Sequence, residues 1–162
     1  MVKISKKIKM IKDIKNFIRD NKLDGYLISK NDKYFTEYSN INNLDKVTNF
    51  SGSAGFSLIL KNINYLFVDG RYTIQAQIES GKNFEIVNFE KIFNCKLFKN
   101  LVIGFDPKLF TSKQISNFFA KFNKVKKINV NLIDYLFQDK VYKIKPFYSL
   151  EKNIVGETHQ KK

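Results

Sequence analysis

The segment GFSLILKNINYLFVDGRY, residues 55–72, contains two short runs of strand-forming residues joined by a polar connection. The runs cover residues 56–60 and 65–68, and their arrangement predicts a β-hairpin. An Asp-Gly pair ends the second run, and residues 71–80 have helical character before the next glycine stops them. The segment therefore predicts two antiparallel strands followed by a helix.

Strand-like and helix-like segments alternate on both sides of this hairpin. Apolar residues at steps of three and four predict a helix packed on a core over residues 4–22, and the turn-rich residues 29–52 predict a loop with short helical pieces. Further strands are predicted at residues 26–28, 84–87, 101–105 and 125–130, and further helices at 90–98, at 113–122 with Thr111 or Ser112 as the cap, and at 132–137. The chain is expected to be an α/β domain with a mixed sheet covered by helices.

The pattern fades after Gln138, and a proline then precedes a polar tail. We therefore predict one folded domain over residues 1–140 and a linker over residues 141–162. No internal repeat is visible.

Composition restricts the function classes. The chain has 162 residues, of which 43% are hydrophobic and 15% aromatic, and this is enough to bury one core. Its net charge of +14 comes almost entirely from lysine, since only Arg19 and Arg71 are arginine. Phosphate and base recognition favours arginine, so a solvated lysine surface is expected in preference to a nucleic-acid interface. No apolar stretch approaches the roughly 20 residues of a membrane span, and a soluble protein is expected.

Residues able to perform catalysis are scarce. Cys95 is the single cysteine, so no internal disulfide can form and a reducing compartment is favoured. His159 is the single histidine and lies in the polar tail, and the 15 carboxylates form no cluster at helix or strand spacing. A metal site or an activated nucleophile needs several such groups together. We therefore predict no catalytic and no metal-binding residue in this chain.

Two motifs attract a functional interpretation. Gly52-Ser53-Ala54-Gly55 leads into a strand, unlike a phosphate-binding loop, which leads into a helix, so close packing of the backbone is favoured. Asp69-Gly70-Arg71-Tyr72 lies where a strand ends and a helix begins, a position that often faces a cleft. An arginine in so lysine-rich a chain indicates a role that lysine cannot fill, such as bidentate binding of a carboxylate. A contact between Asp69 and Arg71 within the turn is the equally open alternative.

Three motifs in order carry a family resemblance. They are Thr36-Glu37-Tyr38, then Asn49-Phe50-Ser51-Gly52-Ser53-Ala54-Gly55, then Phe67-Val68-Asp69-Gly70-Arg71-Tyr72 with Gln75-Ala76 after it. Together they resemble the N-terminal domain of the cytosolic Xaa-Pro aminopeptidases, where the patterns are approximately Ser-Glu-Tyr, Gly-Phe-Thr-Gly-Ser-Ala-Gly and Thr-Asp-Gly-Arg-Tyr. The resemblance is strongest over residues 49–76. Asn49, Ser51 and Val68 depart from the family pattern.

The resemblance implies a creatinase/prolidase N-terminal domain, a ribonuclease H-like mixed sheet of about six strands with flanking helices. In the three-domain enzymes a second domain follows, and then a catalytic domain that holds two divalent metals, usually manganese. Neither is expected within these 162 residues, so no cofactor is expected in this chain. Arg71 matches the arginine that contacts the peptide substrate across the domain interface, whereas Gly52, Ser53, Ala54, Gly55, Asp69, Gly70 and Tyr72 match structural positions.

The resemblance thus implies a non-catalytic, cytoplasmic domain that shapes the substrate cleft of a peptidase removing the residue before an N-terminal proline. Its expected partners are the following domains and a peptide with proline second, and a homodimer is left open. A stand-alone, catalytically silent peptide- or protein-binding module of the same fold is the alternative.

Overall fold

The computed structural model describes residues 2–36, 42–92, 98–137, 148, 150–157, 160 and 161. In these ranges six strands form one mixed sheet with the order β4-β3-β2-β1-β5-β6. The strands are β1 (Gly25–Ser29), β2 (Gly55–Leu60), β3 (Asn64–Val68), β4 (Glu85–Asn88), β5 (Val102–Phe105) and β6 (Lys124–Lys127). The predicted α/β class with a mixed sheet is confirmed.

The helices are α1 (Val2–Asp20), α2 (Asn43–Thr48), α3 (Thr73–Ser80), α4 (Ser112–Ile115), α5 (Leu132–Phe137) and α6 (Lys152–Val155). A 3-10 turn, Gly70–Tyr72, precedes α3, and a π-helical turn, Ser116–Ala120, continues α4. Thr111 caps α4 in a capping box with Gln114, because each side chain accepts a hydrogen bond from the backbone N–H of the other.

The hairpin of β2 and β3 is antiparallel, with Phe56 opposite Phe67. β2 also pairs antiparallel with β1, whereas the pairs β1–β5, β5–β6 and β3–β4 are parallel. Five strands therefore run in one direction and only β2 opposes them. The carboxyl ends of those five strands lie along one edge of the sheet, and the loop that leads into β2 lies at the same edge.

Alternating side chains of the strands enter two apolar clusters, one on each face of the sheet. Ile59, Leu66 and Val68 pack with buried side chains of α1, α2, α3 and α5. Phe56, Leu58 and Phe67 pack on the opposite face, where Phe119 of the π-helical turn is fully buried. Because helices cover both faces, the central strands are buried along almost their whole length.

Some predicted boundaries differ from the structure. The last strand is Lys124–Lys127 and not residues 125–130, because β5 offers it only four residues for pairing. The helix predicted at 113–122 is a single α turn followed by a π turn ending at Ala120. The segment predicted as a helix at 90–98 contains a 3-10 turn over Phe89–Lys91, and residues 93–97, with Cys95, lie outside the described residues. In the described chain no helix is long and apolar enough to cross a membrane.

Candidate functional site

The Asp-Gly-Arg-Tyr motif forms a tight turn at the carboxyl end of β3. Asp69 has an extended backbone, and its Oδ1 accepts a hydrogen bond of 3.0 Å from the backbone N–H of Arg71. This bond starts the 3-10 turn Gly70–Tyr72, from which α3 continues. The turn therefore places the Arg71 side chain at the edge of the sheet where five strands end.

Asp69 also holds the guanidinium of Arg71. Arg71 Nε donates to Asp69 Oδ1 at 3.0 Å, and the two Nη groups make no hydrogen bond with any described residue. The Arg71 side chain is 76% exposed, and its Cζ lies 5.6 Å from the centre of the Tyr72 ring. The hydrogen bond from Arg71 holds the pKa of Asp69 below its usual value and raises the pKa of Arg71. The turn contact thus fixes one side of the guanidinium and leaves the other open to solvent.

The Gly52–Gly55 loop packs beside this turn. Tyr72 Oη lies 2.7 Å from Ser53 Oγ, and the rings of Tyr72 and Phe50 meet edge to face with their centres 5.9 Å apart. Gly52 lies directly on the ring of Phe50, so that a Cβ at this position would overlap the ring. Lys30 Nζ donates to the carbonyl of Gly52 at 3.0 Å. Small residues are needed in this loop because the backbone approaches an aromatic side chain.

Glu79 of α3 anchors the start of the same loop. Its two carboxylate oxygens accept hydrogen bonds of 2.9 Å from the backbone N–H and the hydroxyl of Ser51. Gln75 Nε2 donates to both Glu79 Oε1 and Ser51 Oγ. Partial burial opposes ionisation of Glu79, but these hydrogen bonds outweigh it and leave its pKa below the usual value. Sequence reasoning missed this anchor, and the spacing of four between Gln75 and Glu79 was its only local signal.

The residues singled out from sequence therefore converge. Gly55 begins β2 opposite Val68, directly before Asp69, and Ala54 precedes it in the loop. Gly70 lies close to the side chain of Asn88 at the end of β4. We call residues 49–55 together with 69–72 the arginine corner. Of the first motif, Thr36-Glu37-Tyr38, only Thr36 is described, and Glu37 and Tyr38 lie outside the described residues.

The arginine corner offers binding groups rather than groups for bond cleavage. Arg71 supplies two unengaged Nη groups. They can donate to the two oxygens of a carboxylate, or to the single oxygen of a backbone carbonyl. Within the described ranges no three His, Cys, Asp or Glu side chains come together to hold a metal ion, so these residues do not fit a di-metal centre. His159 lies outside the described residues.

Comparison with known proteins identifies relatives of this chain. The chain is 26% identical over 137 residues to a probable Xaa-Pro aminopeptidase P of Laccaria bicolor, covering 75% of this chain and 21% of that protein. It is 33% identical over 88 residues to Xaa-Pro aminopeptidase 1 of Dictyostelium discoideum, covering 53% of this chain and 14% of that protein. The chain thus spans about a fifth or less of the length of these relatives.

Solved structures share the fold. The X-prolyl aminopeptidase of Caenorhabditis elegans, described as a cytosolic enzyme with a di-nuclear active site, superposes with a TM-score of 0.65 at 24% identity, over 86% of this chain and 25% of that one. The N-terminal domain of the cytoplasmic peptidase PepQ of Mycobacterium tuberculosis superposes with a TM-score of 0.56 at 20% identity, over 76% of this chain and 94% of that one. The family model of the creatinase/prolidase N-terminal domain matches residues 10–134, and the chain therefore belongs to that family.

Proposed function

We propose that this chain acts as the non-catalytic N-terminal domain of an Xaa-Pro aminopeptidase. In this role it shapes the substrate cleft, and Arg71 contacts a peptide with proline second that is bound by a neighbouring catalytic domain. The names of the curated relatives support the proposal, and so does the small share of their length that the chain spans.

The observation that carries the proposal is the state of the Arg71 guanidinium. Its Nε is occupied by Asp69 at 3.0 Å, whereas both Nη groups lack a hydrogen bond to any described residue. Ligand binding by Arg71 and the contact between Asp69 and Arg71 within the turn are therefore compatible, because this contact orients the guanidinium that would bind the ligand. A guanidinium held in one orientation loses less conformational entropy when it forms two further hydrogen bonds.

The remaining parts of the proposal concern the rest of the protein. The two divalent metals, usually manganese in this family, would be held by a catalytic domain outside these residues. The groups that activate water would belong to the same domain. Residues 1–140 would form the domain and residues 141–162 the linker to the next one, in a cytoplasmic protein that can form a homodimer. The 162-residue chain alone is accordingly expected not to cleave Xaa-Pro peptides when manganese is added.

The test is Arg71→Ala in the full-length aminopeptidase. Loss of a charged hydrogen bond costs about 1.5 to 3 kcal/mol, so kcat/KM for an Xaa-Pro peptide should fall by about tenfold to over a hundredfold. Arg71→Lys should have a kcat/KM little higher than that of Arg71→Ala, because a point charge cannot form two parallel hydrogen bonds. Arg19→Ala is the matched control, since Arg19 is 72% exposed and also lies beside a carboxylate, Asp20, at 3.6 Å.

Unchanged kinetics of Arg71→Ala would contradict the substrate contact. A fall in kcat/KM that merely follows a fall in melting temperature would assign Arg71 to bracing of the turn instead. Measuring both quantities on the same variant separates the two roles.

A further inference from the structure

The sheet has an open edge at β6. This strand is the last in the sheet order, and among the described residues it pairs only with β5. Three of its four residues are exposed, and Val125 is half-buried. An unpaired strand edge presents backbone N–H and C=O groups with which a further strand can pair. Extended peptides bind to proteins in this way, as an added strand.

The pairing of β6 with β5 fixes which backbone groups face outwards. The N–H groups of Lys124 and Ile128 each donate at 2.9 Å to a carbonyl of the segment that contains β5. Backbone groups of successive residues point to opposite sides of a strand, so the N–H and C=O groups of Val125 and Lys127 face away from β5. These outward groups make no hydrogen bond with any described residue. They are the positions at which an added strand would be bound.

Lysines are concentrated beside this edge. Residues 98–131 contain seven lysines and a single acidic residue, Asp106, which is buried. Three of these lysines belong to β6 itself. Lys126 donates at 3.3 Å to a backbone carbonyl just after α1, and Lys124 and Lys127 form no ion pair with a described residue. The edge therefore carries positive charge that no described carboxylate balances.

A depression of about 620 Å³ at the amino ends of β5 and β6 continues this charge. Lys99, Lys121 and Lys124 line it, and its lining contains no acidic residue. The ammonium groups of Lys99 and Lys121 lie 5.0 and 5.2 Å from the centre of the ring of Phe122, a residue that is 39% exposed. Like charges around one space repel one another, and an anionic partner would relieve that repulsion.

The two faces of β6 differ, and this restricts the sequence of a partner. Ile128 packs with the apolar cluster that includes α1, whereas Val125 packs with the opposite cluster. By alternation Lys124 and Lys126 lie on the α1 face. Lys127 lies on the other face, together with Val125. Acidic side chains at every second position of an added strand would therefore lie beside Lys124 and Lys126, and apolar ones between them would lie beside Val125.

Two other occupants fit the edge less well. A second copy of β6 would bring lysine against lysine, and lysines on edge strands oppose such pairing. A nucleic acid has no peptide groups to pair with the outward N–H and C=O groups, and its phosphates favour arginine, which is absent from residues 98–131. The combination of open backbone groups and lysines favours an acidic polypeptide.

We propose that the open edge of β6 binds an extended segment of another protein in which acidic residues alternate with apolar ones. The segment adds to the sheet as a further strand, pairs with the outward backbone groups of Val125 and Lys127, and places its carboxylates beside Lys124 and Lys126. This role is independent of the function proposed for Arg71.

The test is hydrogen exchange of single backbone amides, followed by NMR on the 162-residue chain with a capped heptapeptide of alternating glutamate and valine. At saturating peptide the exchange of the Val125 and Lys127 amides should slow by about tenfold, because these N–H groups become hydrogen-bonded. The Lys126 amide already faces β5 and should change less. A lysine–valine heptapeptide, and one of the first composition with its glutamates in one block, should give no such protection.

Lys127→Pro and Lys127→Gln form a matched pair of variants. Both remove the same charge, but only proline removes the outward N–H, and proline is tolerated on an edge strand where the N–H faces solvent. Lys127→Pro should abolish the protection at Val125. Lys127→Gln should keep it and raise the Kd less than about fivefold, as for an exposed ion pair. Lys12→Gln, at an exposed position of α1, should leave the Kd unchanged.

A double variant, Lys124→Glu with Lys126→Glu, leaves the backbone intact and should abolish binding, so it replaces Lys127→Pro if that variant does not fold. Absence of slowed exchange at Val125 and Lys127, equal protection by the block peptide, or an equal Kd for Lys127→Pro and Lys12→Gln would overturn the proposal. Slowed exchange of the same amides with rising chain concentration alone would assign the edge to a second copy. Slowed exchange with oligothymidylate and not with the peptide would assign it to nucleic acid.

Discussion

The arginine corner and a cavity lined by Asp32, Asp106 and Asp134, called the acidic cavity below, lie at the same edge of one sheet, but they are built in opposite ways. In the arginine corner the charged group, Arg71, is exposed, while Phe50, which packs against Tyr72, is buried. The acidic cavity is concave, and its charged group, Asp106, is itself buried. The shape of the first therefore depends on apolar packing, whereas that of the second depends on hydrogen bonds that single carboxylate oxygens accept.

Removing the packing under the arginine corner should have the largest effect on stability. Phe50 is fully buried and contacts Tyr72 and the glycines of the loop, so Phe50→Ala should lower the free energy of unfolding by about 3–5 kcal/mol. Urea denaturation measures the loss. Phe122→Ala removes an equal side chain that is 39% exposed and should cost much less. Equal losses for the two variants would show that the corner does not rest on Phe50.

Neutralising the acidic cavity should affect stability far less. Asp106→Asn retains the oxygen that accepts from Lys108 N–H and removes a buried charge, so the free energy of unfolding at neutral pH should stay within about 1 kcal/mol or rise. Urea denaturation of Asp106→Asn measures this free energy of unfolding. A loss above about 2 kcal/mol would mean that the fold already pairs this charge, and the contrast between the two regions would then fail.

The smallest effect concerns protonation of Asp69. The hydrogen bond from Arg71 lowers the pKa of this carboxyl, so in Arg71→Ala the pKa should rise towards the ordinary value of about 3.9. A lowered pKa in the folded state contributes stability above the unfolded pKa, and this contribution is lost as the pH falls through the folded pKa. Because the group is exposed, the effect on unfolding is expected to be slight.

Carbon-detected NMR of the Asp69 carboxyl between about pH 6 and pH 2 measures this change. Asp32 is a useful reference, because its Oδ1 caps a turn without an arginine beside it. If the pKa of Asp69 is the same in the unchanged chain and in Arg71→Ala, Arg71 does not hold this carboxylate in solution.

Local chemistry explains which predictions were confirmed. The hairpin over residues 56–68, the turn at Asp69, and the capping by Thr111 each depend on neighbouring residues, and all three occur in the structure. The end of β6 at Lys127 was missed, because it depends on the length of a partner strand. The π turn after α4 was missed as well, and it has no signal in the apolar spacing.

By itself, the sequence determined the α/β class, the strand–turn–helix around Arg71 and the family to which the chain belongs, because these follow from local propensity and contiguous motifs. Only the tertiary structure decided that Glu79 anchors Ser51 and that Tyr72 meets Ser53. It alone brought the three aspartates to one cavity. The residues brought together in this way are 19 to 102 positions apart in the chain, and their placement comes from strand order and the packing of both faces, which no periodicity along the chain records.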